Sequence, residues 1–166
     1  MDERLSQEYL AFACKGDASA MQFLELITTV LHFWDDLVDQ DHVLSQDTIN
    51  AVMWKVLVDL PRNKFYANNF FGLNTLLINS IGNWKLATKV EQSGDATQDE
   101  LAMAFIIRSS YCDLVVHTAL LCGGQQHADA CAEHVRRVFH SEGLEGYKSA
   151  LITEREARDG LQSLRK

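Results

Sequence analysis

The sequence predicts an all-α protein folded as a single compact bundle of about six or seven helices. Three observations carry this. Apolar residues recur at helical spacing along almost the whole chain, and no stretch alternates for long like a half-buried strand. One proline, Pro61, and nine glycines leave room for long helices. Hydrophobic residues make up 47% of the 166, enough for one packed core at the usual size of one domain. No internal repeat, low-complexity tract or long linker divides residues 1–166.

Leu5, Tyr9, Leu10 and Ala13 predict a short first helix that ends at Gly16. Asp17 then caps a second helix running to about Gln40. Its apolar face holds Leu24, Ile27, Val30, Leu31, Trp34, Leu37 and Val38. Ser45 caps a third helix, expected to stop before Pro61 because the residue ahead of proline is pushed out of the helical region. A fourth helix covers about 65–90 and is broken by Ser93-Gly94-Asp95. Thr97 and Glu100 form a capping box for a fifth, which runs to about Cys122 and is closed by Gly123-Gly124. A sixth, about 126–139, ends on the cations Arg136, Arg137 and His140. A last helix starts near Gly143 and becomes strongly charged beyond about 155, where it is expected to fray or to reach a partner.

The net charge of −8 argues against sequence-independent nucleic-acid binding, which needs a basic face to displace counterions. Cys14, Cys112, Cys122 and Cys131 form no C-x-x-C pair and read as free thiols buried in a reducing compartment. The charged N-terminus lacks a signal-peptide core. Residues 66–84 carry no charge and are long enough to span a bilayer, yet they include five asparagines, too many amides for lipid. The expectation is a soluble, cytoplasmic chain without membrane contact.

Three constellations have chemical potential. On the second helix His32, Asp35, Asp36 and Asp39 project within about a third of a turn, and Glu25 precedes His32 by seven residues. With no Lys or Arg among them, these groups repel unless a cation sits opposite, so the stripe reads as a metal site or as a solvated polar face. Carboxylates suit Mg²⁺ or Mn²⁺. On the fourth helix Asn68, Gly72, Thr75, Asn79 and Asn83 share an uncharged side, suited to a polar ligand or to close helix packing. On the fifth, Asp113 and His117 lie one turn apart, as metal ligands, as an oriented imidazole or as an ordinary core histidine. Arg108, pointing away from Asp113, reads as an anchor for a buried carboxylate or a grip on phosphate.

The segment Asp35-Asp36-Leu37-Val38-Asp39 resembles the DDxxD motif of class I isoprenoid synthases, which holds Mg²⁺ against a diphosphate. The second motif of that family is absent, and the chain is far shorter than a typical synthase. In size the chain is similar to the all-α nucleoside triphosphate pyrophosphatases, although only Asp36-x-x-Asp39 is analogous to their acidic patterns. The string His32-x-Trp34-Asp35-Asp36-Leu37-x-Asp39-x-Asp41, with Leu60-Pro61 and Asn83-Trp84, also resembles small acidic helical proteins of tailed bacteriophages, a group without an assigned activity. That resemblance implies a host-cytoplasm location and a host or virion partner.

Two function classes follow. In the first, Glu25, Asp35, Asp36 and Asp39 hold Mg²⁺ or Mn²⁺, His32, Asp113 and His117 act catalytically, and Asn79 and Arg108 bind a phosphate-containing small molecule. This would be a metal-dependent phosphate or diphosphate hydrolase, or a metal-bridged bundle without turnover. The second class is a non-enzymatic acidic helical interaction or structural protein, plausible as a homo-oligomer or on a host partner.

Overall fold

In the computed structural model the backbone is described for residues 7–39 and 43–164, and side chains for 7–38 and 43–155. No strand occurs among the described residues. The described residues contain eight helices of seven residues or more: α1 Gln7–Ala13, α2 Ala18–Asp39, α3 Gln46–Trp54, α4 Phe70–Gln92, α5 Gln98–Ile107, α6 Tyr111–Gly123, α7 Gln125–Phe139 and α8 Gly143–Leu164. The expected all-α class is present, with one helix more than the upper expectation.

The extra helix arises because the predicted fifth helix is two. Its ladder fails at Ser109-Ser110, where Ser109 N–H bonds Ile106 O and Ser110 N–H bonds Ile107 O in tighter i→i−3 turns. Ser110 Oγ turns back on Ile107 O at 2.5 Å, the local competition by which serine interrupts helices. The break is also held from outside. Asn83 Nδ2 donates to Ser110 Oγ at 2.8 Å, and Ser80 Oγ donates to Ser110 O at 3.4 Å. The amide stripe on α4 is thus partly consumed in fixing the α5–α6 corner.

The other boundaries differ from expectation at Pro61 and Asn69. The chain does not leave the helix before Pro61. A π-helical turn, Lys55–Asp59, widens the coil, Leu60 N–H reaches Lys55 O, and the helix continues through Leu60–Arg62. Widening upstream accommodates a ring that can neither donate to the ladder nor tolerate a tight preceding turn. Asn63 then ends it. This buried side chain accepts from Tyr66 N–H at 2.9 Å and donates to Ser19 O at 2.9 Å, so it caps the short turn Lys64–Asn68 and ties it to α2. Asn69 leaves the helical region at φ −116°, separating that turn from α4.

The main core gathers α1, α2, α4, α6 and α7 around Phe23, Leu24, Leu73, Leu114, Val115 and Val135, all essentially inaccessible to solvent. Tyr111 crosses it, donating to Leu24 O at 3.0 Å and meeting Thr28 Oγ1 at 2.8 Å. Helices α6 and α7 form a tight hairpin at Gly124, whose φ of +78° favours glycine. A second, smaller core packs α5 against α8 through Phe105, Tyr147 and Leu151. Gln98–Gly123 is apolar enough by length and composition to cross a membrane, but half of that window is buried and the serine corner divides it.

Candidate functional site

The acidic stripe does not close into a site among the described residues. Glu25 is exposed and accepts from Gln7 Nε2 at 2.6 Å. His32 is exposed. Asp35 is half-buried and accepts from Trp84 Nε1 at 3.3 Å, beside the Trp34 and Trp84 rings whose centroids are 4.9 Å apart. Asp36 is half-buried and has a partner. The Asp39 side chain and Asp41 lie outside the described residues. No three His, Cys, Asp or Glu side chains come together to hold a metal among those described. Helix geometry gives the reason for Glu25: eleven residues separate it from Asp36, roughly 16 Å of rise, too far to share one ion.

Asp113 and His117 occupy another place. Asp113 is half-exposed and ion-paired with Arg136 of α7. His117 lies against α4 where Gly72 permits close approach, since a Cβ there would stand 3.1 Å from His117 Nε2. Both line a cavity of about 280 Å³ with Leu76, Val116, Leu120 and Gln125. None of Glu25, His32, Asp35 or Asp36 lines it, so the two constellations do not converge. Asn79 is exposed on α4 and does not line that cavity.

Arg108 takes the first of its two sequence readings and anchors a carboxylate. Its Nη1 stands 3.5 Å from Glu91 Oε1, and its guanidinium lies 5.4 Å from the centroid of the Tyr147 ring. Burial alone would lower its pKa, but Glu91, Tyr147 and Asp35 hold it above its ordinary value. Tyr147 OH donates to the same Glu91 oxygen at 2.6 Å. Arg155 reaches across from α8 to Glu91 O at 2.5 Å and Ser93 O at 2.7 Å. The cluster clasps α8 to the end of α4. The sequence does not single out Glu91, Tyr147 or Arg155, because an isolated polar or aromatic residue on a helix announces no tertiary partner.

One surface stands out instead. Phe71, Thr75, Ile78, Gly82 and Leu86 fall on one side of α4 at 100° per residue, and all are exposed. Phe71 is 87% and Ile78 61% exposed, and a Cβ added at Gly82 would meet nothing. Comparison with protein-family models, curated proteins and solved structures finds no match, so the resemblances above rest on their quoted residues alone.

Proposed function

We propose that this chain is a non-enzymatic helical interaction protein that self-associates through the outer face of α4. The observation that carries the reading is the exposed run Phe71, Thr75, Ile78 and Gly82, on the part of α4 within the charge-free stretch 66–84, in a chain of net charge −8; Lys85 and Lys89 lie on the same side only beyond that stretch. Two acidic molecules meeting elsewhere bring like charges together, whereas two copies meeting along residues 66–84 bring none. An isologous pairing also buries Phe71 of both copies at once, and full burial of such a side chain is worth about 1.5–3 kcal/mol. Thr75 and Gly82 between the large residues let the two helices approach closely.

The test is mass in solution. Light scattering at tens of micromolar is expected to give twice 18.7 kDa for the unaltered chain and 18.7 kDa for Ile78→Glu, which places like charges opposite each other. A monomeric unaltered chain overturns the proposal. The competing metal-hydrolase reading predicts a rise in melting temperature with Mg²⁺ or Mn²⁺ that Asp36→Ala removes; the interaction reading predicts no such rise.

A further inference from the structure

We propose that the cleft between the α1–α2 turn, the helical turn Lys64–Asn68 and the end of α6 binds a small dianion of the phosphate-monoester class. The cleft encloses about 530 Å³, and Lys15, Lys64, Asn68, Phe65, Leu121 and Cys122 line it. Two lysines thus line one cavity from two different elements, although the chain has only seven lysines and a net charge of −8. Neither lysine has an ion-pair partner among the described residues.

Lys15 is placed by the backbone. It is the one non-glycine residue among those described with positive φ, at +50°, held by Lys15 N–H to Phe12 O at 3.0 Å and Gly16 N–H to Ala11 O at 2.8 Å. A left-handed residue beside a ligand cavity is a fixed position rather than a wandering side-chain root.

One carboxylate, Asp17, shares the cleft with the two lysines. Its Oδ1 is turned to the start of α2, accepting Ser19 N–H at 2.8 Å and Ala20 N–H at 3.0 Å, and it remains negative, so the two lysines leave the lining with one net positive charge. The thiols of Cys14 and Cys122 are pushed up by burial and stay protonated at neutral pH, adding no repulsion. Asn68 offers amide donors, and Phe65 and Leu121 give an apolar wall for an organic group. Lysine ammoniums act as point charges toward phosphate oxygens, which suits a compact dianion.

The experiment is a backbone-amide NMR titration of the full chain with inorganic phosphate and with phenyl phosphate. Saturable shifts confined to residues around Lys15, Lys64 and Asn68 support the proposal, with phenyl phosphate binding tighter because of the apolar wall. Lys64→Gln, on an ordinary helical backbone, is expected to weaken binding about tenfold, as is Lys15→Gln. Shifts scattered over Lys85, Lys89 and other surface cations, failure to saturate, or unchanged binding by Lys64→Gln overturns it. Because the readout is local shifts rather than mass, its failure is separable from that of the α4 pairing.

Discussion

Thr118 lies in the middle of α6 with no accessible surface and a hydroxyl that has no hydrogen-bond partner. An unmet buried hydroxyl carries the full cost of leaving water, about 1–3 kcal/mol. Thr118→Val has nearly the same shape and lacks that group, so the variant is expected to be more stable by about 1 kcal/mol, seen as a melting temperature about 2–4 °C higher. A lower melting temperature would show that the hydroxyl is satisfied after all. His140 shows a similar feature: its Nδ1 engages Arg136 O at 2.9 Å, while its buried Nε2 has no partner beside the Phe105 ring. Asn63 is the opposite case, with both ends of its amide in use. Nothing in the local sequence Pro61-Arg62-Asn63 distinguishes this hub from an ordinary turn asparagine, because its partners Ser19 and Gln22 lie more than forty residues earlier.

Among the helices, α5 starts as the sequence predicts. Thr97 Oγ1 accepts Glu100 N–H at 3.2 Å, and Glu100 Oε2 accepts Thr97 N–H at 2.7 Å. Thr97→Ala removes half of this box and is expected to cost about 1 kcal/mol in denaturant unfolding, with an unchanged slope against denaturant. A loss below measurement would mean that the exposed end of α5 frays without consequence. The end of the same segment was less legible. Residues 98–122 read as one helix because the apolar spacing is continuous across Ser109-Ser110, and serine is only mildly unfavourable in a helix. The corner forms because Asn83 and Ser80 of α4 reward it from a neighbouring element. Pro61 misled in the other direction: its ring ends a regular α-helix, but a π turn lets the coil pass. Leu37, assigned to the apolar face of α2, is 47% exposed, since periodicity ranks faces without saying how far along a helix its cover extends.

For the whole molecule, the buried ionisable groups set a pH limit. Burial pushes the thiol of Cys14 up to about 12 and that of Cys112 up to about 11, and raises the Tyr111 phenol as well. A raised folded-state pKa leaves stability intact below the unfolded value, about 9 for a thiol and 10 for a phenol. Above that the unfolded chain ionises while the folded chain does not, and stability falls until pH passes the folded values. Melting temperature is therefore expected to be flat from about pH 7 to 8.5 and to fall steadily between about pH 9 and 11, each such group steepening the fall by at most about 1.4 kcal/mol per pH unit. Cys112→Ala should make the fall shallower. A flat profile to pH 11 would mean that these groups ionise as freely folded as unfolded.

By itself the sequence determined the helical class, the caps at Ser45 and Thr97, the closing turn at Gly124 and the charge-free run 66–84, because each depends on residues within a few positions of one another. Only the tertiary structure decided which polar groups meet. Asp113 faces Arg136 rather than the acidic stripe, Arg108 is committed to Glu91, Asp35 bonds Trp84, and Lys15 and Lys64 share a cleft forty-nine residues apart in sequence. Helical spacing fixes the direction of a side chain about its own axis. What stands opposite is set by how the apolar faces of different helices pack, and that depends on the whole chain at once.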